Sequence, residues 1–227
     1  MLIRLTSLLD FSLKTPDLEL GQADDFYLDD MTWEVPYAKT KELPWFRHER
    51  LLLSLQGLAA LDLEEKVIRF SASRDDIADG PTAEEMKPLA ERKKEGIEAA
   101  SRSMSEYEKF LQTQRPKTPG AERLRSCREL FFYRLHAKGE DAGLVQDIVV
   151  DENWLLHYWL VETRWPGGKS LVPISKTTQL SWEDRAIYVG VRAETVKGSP
   201  RLAGEGLVEE EDERLVTEYY RRLDLAA

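Results

Sequence analysis

The chain is expected to be mainly β with added helices, as two tandem small β-barrels each followed by one α-helix. Three observations carry that expectation. The stretch from Leu8 to Pro81 has a counterpart, step by step, in the stretch from Leu130 to Pro200. Both stretches read as short alternating strands separated by turn residues. After each of them the composition changes to that of a helix. A repeat of about eighty residues favours two small domains over one large one in a chain of 227 residues.

The correspondence runs residue by residue. GQADDFYLDD in the first copy and GLVQDIVVDE in the second both pass from a glycine through an acidic residue and an apolar strand to an acidic turn. Gly21 thus matches Gly143, Asp25 matches Asp147 and Asp29 matches Asp151. A tryptophan follows each turn (Trp33, Trp154), and a tyrosine comes four residues later (Tyr37, Tyr158). These ten positions form the structural frame of the repeat. Each copy then closes with an apolar strand ending in serine, an alternating strand, and a Gly-Pro or Ser-Pro stop.

Residues 1–81 make the first copy, and it is the degenerate one. Gly21 can adopt backbone angles closed to other residues, and Asp29-Asp30 favour a turn by bonding their own backbone. Between them Phe26 and Leu28 share one face of a strand, with Asp25 and Tyr27 on the other. The next strand, WEVPYAKT, is weakened by Pro36 and Lys39, where the second copy has the apolar WLLHYWLVET. An edge or bulged strand is therefore expected there. KVIRFSAS alternates with period two and points Ile68 inward.

Residues 82–122 form a charged helix and a Pro-rich linker. Glu, Lys, Arg and Ala dominate up to Gln114, with Met86, Ile97, Met104, Tyr107 and Leu111 on one thin apolar stripe. RPKTPG then stops the helix. Residues 123–200 hold the second copy, whose RWPGGK loop is a hairpin turn signal. Residues 201–227 are a Gly-rich passage and a C-terminal helix with acids at its start and arginines near its end, as the helix dipole prefers. Leu215, Tyr219 and Arg222 supply its expected packing face.

Composition narrows the function classes. The net charge of −10 argues against direct binding to nucleic acid or to anionic membrane surfaces, both of which call for unopposed Lys and Arg. A single cysteine, Cys127, suits a reducing compartment. No run approaches the roughly 20 apolar residues of a membrane span, and Arg4 and Asp10 interrupt the apolar start of the chain. A cytoplasmic protein with no membrane span is expected.

The residues that carry chemistry point away from catalysis. Asp24, Asp25, Asp29 and Asp30 lack the glycine and glutamate positions of a calcium loop and are expected to stabilise a turn. Cys127 with His136 and His157 is not duplicated between the copies, and a buried or half-buried thiol is the simpler reading. No phosphate loop, GxSxG or HExxH is present, and neither metal nor cofactor is expected. Two hairpins place aromatic and cationic groups at matching positions, Trp45-Phe46-Arg47-His48 in the first copy and Arg164-Trp165 with Lys169 in the second. Trp and Arg are enriched where partners bind strongly, so these seven residues are candidate partner contacts. The alternative is that the tryptophans fold back as plugs on their own barrels.

The ordered succession LRSCRELFFYRLHAKGEDAGLVQDIVVDE, HYWLVET, RWPGGK, LVPIS and WEDRAIYVGVRAETVKGSP resembles the PRC-barrel family, as do LTSLLDFSLKT, LGQADDFYLDDMTW, LLLSLQGL and KVIRFSASRDDIADGP more weakly. That family is named for the cytoplasmic domain of the photosynthetic reaction centre H subunit. The resemblance implies two PRC-type β-barrels and a role in docking or assembly with a protein partner, with no shared catalytic residue to carry over. It also implies two alternatives: an accessory factor of a membrane electron-transfer or photosynthetic complex, and an RNA-maturation-type factor. The two barrels either pack against one another, or two chains complete one another's barrels in a homodimer.

Overall fold

In a computed structural model, residues 1–41, 50–73, 76–77, 98, 101–103, 106, 123–163, 168–202 and 207–225 are described. The fold is mainly β, with helices added. The chain divides into two compact units that cross its sequence order. The C-terminal unit joins Met1–Leu8 to Arg128–Ala227, and the N-terminal unit is Leu9–Cys127. The division expected from the repeats, with residues 1–81 as one body and 123–200 as another, does not follow this crossing.

The crossing is made by two short strands. Strand β1 (Leu2–Arg4) opens the chain but pairs in the C-terminal unit. The N-terminal unit itself contains β2 (Ser12–Lys14), β3 (Glu19–Asp29), β4 (Tyr37–Thr40), β5 (Leu52–Ser54), β6 (Leu58–Asp62), β7 (Val67–Phe70) and β8 (Leu124–Ser126). Their order is β5-β4-β3-β2-β7-β6, with β8 on the free side of β3. β8 directly precedes the second repeat in sequence, yet it completes the sheet of the first.

The C-terminal unit repeats the plan. A one-turn helix α1 (Cys127–Leu130) leads into β9 (Arg134–Ala137), β10 (Glu140–Val150), β11 (Leu156–Thr163), β12 (Gly168–Pro173), β13 (Thr177–Ser181) and β14 (Ala186–Val189). These run β12-β11-β10-β9-β14-β13, with β1 on β10 and the two-residue β15 (Leu207–Val208) on β1. The registers of the two crossing strands are equivalent. Arg4 lies opposite Val149 and Ile3 opposite Val150, while Ser126 lies opposite Tyr27 and Arg125 opposite Leu28.

Among the described residues neither sheet closes into a barrel. All neighbouring pairs are antiparallel except β2 with β7 and β9 with β14, which are parallel. Followed around each sheet, these directions make β5 run the same way as β6, and β12 the same way as β13. Only a single 3-10 turn separates the members of each pair, Leu55–Gly57 in one unit and Ile174–Lys176 in the other. Parallel neighbours need a crossover of roughly a dozen residues or more, so the chain turns a corner there and leaves the ladder open.

The degenerate strand behaves differently from expectation. β4 spans four residues where β11 spans eight, as the preceding Pro36 would impose. It is nevertheless no edge, because β3 and β5 flank it. The pairing of β3 with β4 shifts register between Ala23 and Asp25, and that of β10 with β11 between Val145 and Asp147. A bulge therefore sits just before the matched aspartate in both copies. Such a bulge re-aims the following side chains. Asp25, Phe26, Tyr27 and Leu28 are all buried, so both faces of this part of β3 are covered.

The second half of the unit adds α2 (Ala193–Gly198) and the 16-residue α3 (Glu210–Leu225). Four acids occupy the first turn of α3 and Arg222 its last, favouring the helix through its dipole. Val216 and Tyr220 of α3 are buried with Leu2, Val149, Tyr158, Leu160 and Leu171 in one apolar cluster. The packed face lies one residue beyond the expected one, and Leu215 is exposed. Tyr219 is half-buried and donates its hydroxyl to the Thr195 carbonyl at 2.9 Å, tying α3 to α2. The charged helix expected over residues 82–114 lies almost wholly outside the described residues; Glu98, Ser101, Arg102 and Glu106 have helical backbone.

Candidate functional site

The acidic positions resolve into two kinds. Asp29 and Asp151 serve the turns. Asp29 Oδ1 accepts from the backbone N–H of Met31 (2.9 Å) and Thr32 (3.2 Å), and Asp151 Oδ1 from those of Asn153 (2.8 Å) and Leu155 (2.9 Å). These bonds hold a turn tight enough to place Trp33 and Trp154 at the same left-handed φ of 62°. Trp154 is buried and Trp33 half-buried. Although partial burial works the other way, the Leu155 N–H, the His157 ring 3.2 Å away and the Asn153 N–H hold the Asp151 carboxyl below the usual range. Asp30 is the opposite case: burial pushes its carboxyl up against the pull of the Arg125 guanidinium at 2.5 Å.

Asp25 and Asp147 are not turn residues, which corrects the expectation for Asp25. Asp147 is fully buried and accepts from Arg4 Nε (2.9 Å), the Thr6 backbone N–H (3.0 Å), the Thr6 hydroxyl and the Ile148 N–H (2.8 Å). Asp25 accepts from the Phe26 N–H (2.8 Å) and the Ser126 hydroxyl, and Lys39 Nζ lies 3.9 Å away. In each unit, then, a buried carboxylate behind a bulge fastens the crossing strand. Asp24, on the bulge, pairs with Lys39 at 3.2 Å. Arg4, Thr6 and Ser126 were missed by sequence reasoning. A lone arginine inside the apolar LIRL was the available signal, since a buried arginine calls for a buried acid.

The matched glycines hold the start of the long strands. Gly21 has φ 86° and Gly143 φ 146°. A Cβ on Gly143 would come within 2.3 Å of the Glu162 carbonyl oxygen, so the backbones of β10 and β11 need a bare α-carbon there. Tyr158 is buried and meets the Thr217 hydroxyl of α3 at 3.3 Å, whereas Tyr37 is half-buried against Tyr27, Leu52 and Leu124.

The hairpin residues Trp45, Phe46, Arg47, His48, Arg164 and Trp165 lie outside the described residues. Lys169 is described, half-buried on β12, with its Cα opposite that of Glu162. The Cys127 side chain is buried. His136 stacks on Tyr188 at 5.3 Å between ring centroids, and His157 faces Asp151. Among the described residues no group of three His, Cys, Asp or Glu side chains is placed to hold a metal ion. No described helix is long and apolar enough to cross a membrane.

One cleft in the C-terminal unit has mixed chemistry. It encloses about 420 Å³ between the start of β11 (His157, Tyr158), the turn from Pro173 to Lys176, and the last two turns of α3. Lys176 Nζ reaches both carboxylate oxygens of Asp224 across it, at 2.6 and 2.7 Å. Burial raises the Tyr158 hydroxyl pKa, and that of Tyr220 more strongly. The phenols therefore stay protonated and act as neutral walls. No family model matches the chain, and no curated protein matches it.

Proposed function

We propose that the protein is a non-enzymatic protein-interaction or assembly module working in the cytoplasm, built from two small barrels of the PRC type, each followed by a helix. The reading needs no cofactor and takes a protein as its partner. Its main support is what the most buried acids do. Asp25 and Asp147 are the groups whose burial would suit them to proton transfer, and both are bound into strand attachment by several donors. The paired hairpins, rich in Trp, Phe, Arg and Lys, then offer the groups best suited to a partner.

Affinity capture with the tagged full-length chain tests the reading, comparing wild type with the W45S/F46S/R47S variant. The variant should melt within about 2 °C of wild type. Its recovery of the captured protein should fall at least about thirty-fold, the effect of losing a hot spot of roughly 2 kcal/mol or more. Undiminished recovery would overturn it, and so would unfolding of the variant, which would make those side chains part of the core.

A further inference from the structure

We propose that the cleft beside α3 binds an acidic peptide segment, seating an Asp or Glu side chain of the partner on Lys176 with an adjacent apolar residue against Ile174 and Tyr158. The inference deepens the interaction reading above and rests on it. Two cationic side chains, Lys176 and Arg221, line this one cleft with one acid, Asp224, in a chain whose net charge is −10, and the His157 ring in its wall faces Asp151. The cleft lining therefore carries one more cation than acid, against the overall charge of the chain. Complementary charge of this kind selects acidic partners and repels basic ones.

The geometry already displays the recognition. Lys176 is largely withdrawn from solvent, with 18% of its side chain exposed, yet it holds the carboxylate of Asp224, which is 60% exposed on the last turn of α3. Asp224 is thus a carboxylate presented from the solvent side to a shielded ammonium, the position a partner's acid would take. An ion pair with one exposed member contributes little, so displacing it is cheap. The Thr217 hydroxyl offers a further polar contact, while Tyr158 and Ile174 supply apolar wall. A volume of about 420 Å³ has room for the two side chains proposed.

The test is a titration of full-length ¹⁵N-labelled protein followed by NMR. The probes are the peptide acetyl-Leu-Glu-amide, its glutamine counterpart acetyl-Leu-Gln-amide, and sodium phosphate. The acidic peptide should shift the amides of His157, Lys176, Thr217 and Arg221 in a saturable way, and the glutamine peptide should not. Lys176→Met should abolish the shifts. Asp224→Asn, which removes the resident competitor, should tighten binding roughly three-fold, the scale of an exposed ion pair. Equal binding of both peptides, shifts located elsewhere, weaker binding to the Asp224→Asn variant, or Lys176-dependent binding of phosphate without the peptide would each overturn the proposal. Those outcomes leave the hairpin experiment untouched, so failure here is distinguishable from failure of the interaction reading.

Discussion

Arg4 donates its guanidinium Nε to Oδ2 of Asp147 at 2.9 Å, across 143 positions of sequence, and the carboxylate it meets has no solvent exposure. The bond is the mark of an exchange. The strand that opens the first repeat is built into the second unit, and the strand that opens the second repeat is built into the first, in matching registers.

Removing the buried acid should therefore be costly. Asp147→Ala removes the buried carboxylate from the Arg4 guanidinium, which is 10% exposed, and breaking a buried pair in this way costs about 3–5 kcal/mol. Asp25→Ala should cost less, about 1–3 kcal/mol, because its hydrogen-bond donors, the Phe26 N–H and the Ser126 hydroxyl, are neutral and Lys39 keeps Asp24 at 3.2 Å. Urea denaturation of the two variants checks the order.

Gly143 should tolerate no side chain. Its φ of 146° and the 2.3 Å approach of a Cβ to the Glu162 carbonyl oxygen predict that Gly143→Ala costs about 2–4 kcal/mol by strain and displacement of β11. Gly57 has nothing within 4 Å of the same built atom, and Gly57→Ala should stay within about 0.5 kcal/mol of wild type. Thermal melts of both variants separate the two cases.

Acid stability should depend on Asp151. Its folded pKa is depressed below the unfolded value, so its contribution is fully present above about pH 4 and is lost as the pH falls through the folded pKa. Asp151→Asn keeps an Oδ1 acceptor for the Asn153 and Leu155 amides but does not titrate. The variant should lose less of its melting temperature than wild type between about pH 6 and about pH 2.5. An unchanged difference would remove Asp151 from the account.

Much of this architecture was legible in the residues, because the repeat imposes the same local chemistry twice. The pairs Gly21 and Gly143, Asp29 and Asp151, and Trp33 and Trp154 are matched in sequence and occupy matched turns and strand starts. Period-two strands such as Val67–Phe70 formed where alternation placed them. The exchange was not legible, because LIR and LRS join equivalent places in the two sheets in matching registers, and three residues of local pattern do not say which of two like edges they join. Asp25 and Asp147 were hidden for a related reason. Their partners, Ser126 for Asp25 and Arg4 and Thr6 for Asp147, come from segments more than a hundred residues away, which local alternation does not show. On α3 the face was misplaced by one residue because Leu215, Tyr219 and Arg222 keep the same spacing as the buried Val216 and Tyr220.

The exchange itself is tested most directly by hydrogen exchange, read by mass spectrometry, on the full-length Ile3→Asp variant. Ile3 is buried opposite Val150 and Leu207, so a carboxylate there should detach β1. The structure predicts that protection falls first and furthest in β10, β15 and α3, over a hundred residues away in sequence, while β2 and β3 keep theirs. Loss of protection in β2 and β3 with β10 unchanged would contradict the exchange and return the opening strand to the repeat it precedes.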